Sequence, residues 1–294
     1  MAADLGSSVL VYDVGGSHVS AAVCHSGAYR LGLVVSAPHP VEETSDAFID
    51  LLHSLGVEAS NGERGLGGAE LAIPGPFDFA AGISRMKHKL PYLYGVDLRG
   101  KLAERFGWQP DQVRFLLDSA AFLLGEIGAG EARGVGRAVG ITLGTGIGSA
   151  FAVDGHVVTE GPGVPPGGEI WNLPYEGGIV EDFVSTRAIQ RSYKLRTGAL
   201  PIVARIAADA ANDPDATEVF AEFGRHLGLA LRMKLSEFDP DVVVIGGGIS
   251  RSSHLFLPAA IKELAGLKMQ LRVSALLDDA PLVGAAVAWF TGTK

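Results

Sequence analysis

Three glycine turns stand directly after apolar runs in this sequence. The run Val9 to Val14 carries Asp13 near its end and leads into Gly15, Gly16 and Ser17. Ala138 to Leu143 leads into Gly144, Thr145 and Gly146, and Val242 to Ile245 into Gly246, Gly247 and Gly248. Successive backbone N–H groups in a tight glycine turn can hold a phosphate, because residues without a Cβ let the chain approach the anion closely. Each turn alone is equally an ordinary hairpin turn, and the series is what points to a phosphate-bearing ligand. Asp13 beside the first turn suits a direct or water-mediated Mg2+ contact, the plainer alternative being that it caps the turn. Two other phosphate signatures are excluded. The dinucleotide fingerprint must join a strand to a helix, whereas Gly144 to Gly148 leads into alternating apolar residues, and the Gly-x4-Gly-Lys-Ser/Thr pattern is absent.

The elements that must position these turns follow from periodicity. Val9 to Val14 and Val19 to Cys24 read as a strand pair, and Arg30 to Val35 as a third strand. Thr44 to Leu55 reads as a helix with Ser45 as its N-cap, Ala69 to Ile73 as a buried strand stopped by Pro74, Gly75 and Pro76. Leu98 to Phe106 reads as a helix and Val113 to Leu117 as a strand, followed by a helix through Glu131 that Asp118 or Ser119 caps. Ala138 to Leu143 and Ile147 to Val153 then repeat the opening strand, glycine turn, strand grammar. Helices dominate from Val180 to Phe238, broken near Asn212 to Pro214. Val242 to Ile245 is a last buried strand, and Leu282 to Phe290 an apolar closing helix. The repeat predicts two lobes: residues 1–117, joined by a C-terminal helix over 281–294, and residues 118–280.

Composition narrows the function classes. A length of 294 residues with 47% hydrophobic and 19% charged residues supplies two cores and argues against disorder. A net charge of −9 opposes nonspecific binding to nucleic acid or an anionic membrane. Cys24 is the only cysteine, which excludes an internal disulfide and a multi-cysteine zinc site and fits a reducing, cytoplasmic setting. Met1 to Ser8 has no Lys or Arg and does not read as a secretory leader. Ala138 to Val153 is too short and glycine-rich for a membrane span.

The order of motifs resembles the ROK family of bacterial sugar kinases and sugar-responsive repressors, within the actin-like, hexokinase-like superfamily. Asp13 to Ser17 resembles the family's first phosphate motif. Pro74, Gly75 and Asp78 with Gly82 resemble its P-G-x-x-D segment, and Asp118 to Ala121 with Gly125 and Glu126 its N-D-A-N-A and G-E pair. Leu143 to Gly148 is similar to the second phosphate motif, Gly168 to Ile170 to the start of G-E-I-G-H, and Val244 to Gly248 to the adenosine-side turn. The resemblance runs collinearly from residue 9 to about 290. It implies an α/β, two-lobed ribonuclease-H-like (actin-like ATPase) fold with an interlobe cleft. There ATP and Mg2+ would meet a hexose, as in a glucokinase, with homodimers common. A DNA-binding repressor is not expected, since the phosphate hairpin begins at Val9.

By the same resemblance Asp118 is the catalytic base, its ionised form favoured by the helix N-terminus it opens. Asp13, Gly15, Gly16, Ser17, Gly144, Thr145, Gly146, Gly246, Gly247 and Gly248 would bind phosphate and nucleotide, and Gly75, Glu169, Asn172 and Glu181 the sugar. Three departures stand out. Trp171 and Asn172 replace the Gly-His of G-E-I-G-H, and Glu169 and Glu181 are only twelve positions apart with no cysteine between them. The zinc loop is thus deleted and no zinc is expected. The short loop resembles the polyphosphate-using glucokinases and glucomannokinases, which opens polyphosphate as an alternative donor. Leu117 stands where the family places a sugar-binding Asn and reads as core. His18 stands where many members have Lys. A catalytically silent sugar-binding protein is the alternative from another class, and the retained Asp118 argues against it.

Overall fold

The computed structural model describes residues 7–293, so all but the end of the segment read for a leader lies outside the described residues. Those residues divide into two compact units, the first running to Gly130 and resuming at Asp278, the second spanning Glu131–Leu277.

In the first unit the apolar runs become strands because they are buried along nearly their whole length, as strands covered on both faces must be. They are β1 (Ser8–Val14), β2 (His18–His25), β3 (Arg30–Leu31), β4 (Val35–Pro38), β5 (Ala69–Ile73), the short pair β6 (Phe77–Asp78) and β7 (Ile83–Ser84), and β8 (Val113–Leu117). The sheet order is β3-β2-β1-β5-β8, with β4 also pairing β2. Helices α1 (Ser45–Ser60), α2 (Leu98–Phe106) and α3 (Asp118–Ala129) follow their strands.

The second unit holds β9 (Arg137–Leu143), β10 (Ile147–Val153), β11 (His156–Val158), the hairpin β12 (Pro174–Tyr175) and β13 (Gly178–Ile179), then β14 (Val242–Gly246) and β15 (Gln270–Val273). Its helices are α4 (Thr186–Thr197), α5 (Val203–Asp209), α6 (Pro214–Phe238) and α7 (Ser253–Glu263); the closing helix, α8 (Ala280–Thr291), belongs to the first unit. The sheet order β11-β10-β9-β14-β15 is that of the first unit again: an antiparallel hairpin whose first strand continues into two parallel neighbours. The short glycine repeat in the sequence is therefore the visible trace of a repeated sheet.

The structure corrects several local expectations. The third strand is broken into β3 and β4, with residues 32–34 outside any strand. Thr44, not Ser45, caps α1, its Oγ1 accepting from Ala47 N–H at 3.2 Å. The break near Asn212 is the start of α6, where the Asp213 carboxylate accepts from two backbone N–H groups and Pro214 sits in the first turn. The boundary between units falls after Gly130 rather than after Leu117. Helix α3 stays with the first unit because it lies backbone to backbone against α8: a Cβ on Gly125 would overlap the Ala280 carbonyl, and one on Gly284 the Ala121 carbonyl.

Candidate functional site

Parallel pairing brings the first unit's candidates to one sheet edge. Asp13 on β1 is level with Ala72 on β5, and Ile73 on β5 with Leu117 on β8. Asp13, Gly75 and Asp118 thus follow one another along the carboxyl ends of neighbouring strands, the edge at which open α/β sheets bind ligands. A Cβ on Gly75 would touch only Leu117 Cδ1, at 3.6 Å. Leu117, read as core, is only partly buried and turns toward Gly75 instead.

The turn after β1 is an opened hairpin. Gly15 N–H donates to the His18 carbonyl at 3.0 Å, while the Gly15 carbonyl accepts from His39 Nε2 at 2.8 Å. Among the described residues, no protein acceptor is recorded for the N–H groups of Gly16 and Ser17, as an anion-binding turn requires. His18 is exposed, its Nδ1 3.2 Å from Ser17 Oγ.

Burial, with the charges of Asp118 and Asp278 acting in the same direction, pushes the Asp13 carboxyl up to about 7. Asp118 is also raised, burial outweighing the opposing effects of Lys89 and of the Ser119 N–H that donates to Oδ1 at 2.7 Å. The helix N-terminus acts in the expected direction, but the backbone N–H groups of Asp118 and Ser119 return less than the water the carboxylate gives up, and the net shift is upward. Asp118 is not a cap either. Leu117 holds the N-cap position without a side-chain bond, and Asp118 is the first helical residue. Sequence reasoning missed Asp278 and Lys89. Asp278 is the middle residue of the short turn before α8, and its one local signal was an acidic pair ahead of an apolar helix.

In the second unit β9 and β14 run parallel with Gly246 level with Thr142, so the second and third glycine turns are neighbours. Gly247 has a φ of +81°, and a Cβ there would overlap the Leu143 carbonyl at the end of β9; the position admits little but glycine. The Gly144 carbonyl accepts from both Thr186 N–H, at 2.9 Å, and Thr186 Oγ1, at 2.8 Å. Ser149 on β10 donates to Gly168 O at 2.6 Å and accepts from Ile170 N–H at 2.9 Å, clamping the backbone on both sides of Glu169. The segment to Glu181 closes on itself through β12 and β13, with Glu181 N–H donating to Trp171 O at 3.0 Å. Glu181 lies against the second turn, where a Cβ on Gly146 would overlap its carboxylate, and Arg187 lies 3.3 Å from its Oε1. Asn172 is exposed. The sugar candidates of this unit therefore lie on one segment between β11 and α4, and Glu181 is the one seated against the second glycine turn. Among the described residues no three His, Cys, Asp or Glu side chains converge on a metal position.

The sequence matches the ROK family over residues 9–291. A glucokinase of Thermotoga maritima is 30% identical over 267 residues, which are 78% of this chain and 81% of that protein. The crystal structure of a ROK hexokinase from Thermus thermophilus superposes with a TM-score of 0.79 at 28% identity, over 97% of this chain and 98% of that one. The inorganic polyphosphate/ATP-glucomannokinase of Arthrobacter sp. strain KM shares the fold, with a TM-score of 0.72 at 24% identity, over 98% of this chain and all of that one (100%).

Proposed function

Because the chain belongs to the ROK family, we propose that it is an ATP-dependent kinase of hexoses. The observation that carries this reading is Asp118: a carboxylate at the carboxyl end of β8, freed from capping, with its pKa raised. A general base works best when its pKa approaches the working pH. Asp118 would accept the proton of the attacking sugar hydroxyl. The N–H groups of Gly16 and Ser17, and those of Thr145 and Gly146, would hold phosphate oxygens, with Gly246 to Gly248 on the nucleoside side. Gly75, Glu169, Asn172 and Glu181 would hold the hexose through its hydroxyls.

Asp13 fits a nucleotide-borne Mg2+. Among the described residues the charges that act on Asp13 are both carboxylates, and a hard divalent cation would offset them and favour the ionised oxygen ligand. When bound, the ion would neutralise charge on the transferring phosphoryl group, and Asp13 would orient it directly or through water. No zinc is part of this proposal. Burial raises the thiol of Cys24 to about 12, whereas a zinc ligand must be a thiolate. No helix among the described residues is long and apolar enough to cross a membrane, and a cytoplasmic homodimer is the setting proposed.

The test is a matrix of donors and acceptors with purified protein: ATP and polyphosphate against glucose, mannose, fructose and N-acetylhexosamines. Magnesium-dependent phosphorylation of at least one hexose by ATP is expected. Turnover with polyphosphate alone would replace the donor, and sugar binding without turnover by any donor would leave a silent binder.

A further inference from the structure

His39 is far from every motif in the sequence, yet it makes two bonds to the first glycine turn. Its backbone N–H donates to Ser17 O at 3.2 Å and its Nε2 lies 2.8 Å from Gly15 O. A carbonyl can only accept, so Nε2 carries the proton. The bond that would close a hairpin here, from His18 N–H to Gly15 O, is not among the bonds of the described residues, although its reciprocal from Gly15 N–H to His18 O is. The ring has taken the carbonyl that the turn would otherwise use on itself.

A trans peptide is planar, with its C=O and N–H pointing in opposite directions. Holding Gly15 O toward the ring therefore turns Gly16 N–H away from it, and holding Ser17 O does the same for His18 N–H. The ring is itself fixed, stacked on Phe48 with centroids 5.8 Å apart. Among the described residues its other nitrogen, Nδ1, is buried with no hydrogen-bond partner. A buried bare acceptor costs stability, so stability alone is a poor account of a histidine here; an apolar ring would stack on Phe48 without that cost.

We propose that His39 is a positioning residue that holds the first glycine turn open, with its N–H groups aimed at the phosphoryl donor. The proposal rests on the reading of that turn as a phosphate site. The experiment uses the 15N-labelled full chain and titrates it with magnesium and ATP. It follows the amide signal of Gly16, the N–H that the ring orients, and that of Ser17 beside it in the turn, together with steady-state kinetics for the wild type, His39→Phe and His39→Gln. Phe keeps the stack on Phe48 and removes both nitrogens, while Gln restores a side-chain N–H donor.

His39→Phe is expected to raise KM for ATP on the order of 10-fold or more, to shrink the ATP-induced shifts of both amides, and to leave hexose affinity unchanged. Gln is expected to recover part of the loss. Should the amides of the wild type not respond to ATP, the phosphate reading of the turn fails whatever His39 does. A wild-type response that persists undiminished in His39→Phe overturns the positioning role. Equal losses of ATP and hexose affinity in both variants, with no recovery by Gln, would make His39 a structural residue and overturn it too.

Discussion

The two glycine hairpins have one architecture and are held by different chemistry. In each, the carbonyl of the first turn glycine is captured by a residue from elsewhere in the same unit: Gly15 O by the His39 ring, Gly144 O by Thr186. Thr186 donates twice, through its backbone N–H and its hydroxyl, so the second turn has a brace that no substitution short of proline removes entirely. The first turn has a side chain holding Gly15 O, and the backbone of His39 reaches only Ser17 O. Their surroundings differ as well. The first turn follows Asp13, whose neighbours by charge are Asp118 and Asp278, whereas the second has Glu181 seated on it, paired with Arg187. Duplication of a sheet thus preserves the way a turn is opened while leaving the charges around it free to diverge. In the proposed reaction the first unit supplies the base and the metal ligand beside its phosphate turn, and the second unit supplies a second phosphate turn and the carboxylates that meet sugar hydroxyls.

The largest effect that would break this division is the loss of the base. Asp118→Asn keeps size and polarity and removes proton acceptance. Because Asp118 is not the cap of α3, the exchange is expected to leave the melting temperature nearly unchanged. Turnover is expected to fall on the order of 10² to 10⁴-fold with hexose affinity retained, read from steady-state kinetics and from sugar titration of the purified variant. Near-normal turnover would move the proton chemistry out of the first unit.

Next in size is Gly146→Ala, set against Gly15→Ala. A Cβ at Gly146 would overlap the Glu181 carboxylate, the far end of a flexible side chain, so the protein should fold while Glu181 is displaced. A Cβ at Gly15 would meet the His18 carbonyl at 3.2 Å, a tight contact that does not touch a candidate sugar ligand. The expected result is a loss of kcat/KM for hexose on the order of 10-fold in Gly146→Ala, and a change confined to the ATP parameters in Gly15→Ala. Hexose parameters that stay at wild-type values in Gly146→Ala would detach Glu181 from the sugar.

Much of this frame was legible in the sequence. Periodicity gave the hairpin at Asp13 to Ser17, its copy at Leu143 to Gly148, and the strand that ends just before Asp118, because apolar runs and glycine turns are local signals. His39, Thr186, Lys89 and Asp278 were illegible for the opposite reason. Each reaches the site through pairing or packing between distant segments, and none sits in a pattern that spacing reveals. The net upward shift of Asp118 was illegible, since a helix N-terminus can be seen in a sequence and the burial that outweighs it cannot. The domain boundary was misplaced because Gly125 reads as one more helical residue until Gly284 is found against the same helix.

A smaller effect tests the doubled brace. Thr186→Val removes the hydroxyl and keeps the backbone N–H on Gly144 O, so one of two bonds is lost. The loss expected is about 1 kcal/mol or less, which corresponds to no more than about 5-fold in KM for ATP. That is well below the change expected for His39→Phe at the first turn. Equal effects of the two substitutions would remove the distinction between a turn held by backbone and one held by a ring.

The finest test concerns how the first unit sets the charge of its base. Lys89 is exposed on the loop between β7 and α2, and its charge draws the pKa of Asp118 down against the larger upward push of burial. A base works in its ionised form, so activity on the acid side rises with pH as Asp118 loses its proton. Removing the ammonium in Lys89→Met leaves burial less opposed, raises the pKa of Asp118 further, and moves the acid limb of the kcat/KM profile to higher pH. Lys87→Met is the control. Lys87 is exposed on the same loop and lies over the Tyr94 ring at 5.3 Å, and it is not among the charges that act on Asp118. Salt provides an independent check, because mobile ions screen an exposed charge. Raising ionic strength should carry the wild-type limb toward that of Lys89→Met and leave the variant's limb nearly in place. A limb that ignores Lys89→Met, or answers Lys87→Met equally, would show that burial and the backbone N–H groups of Asp118 and Ser119 set the base without Lys89.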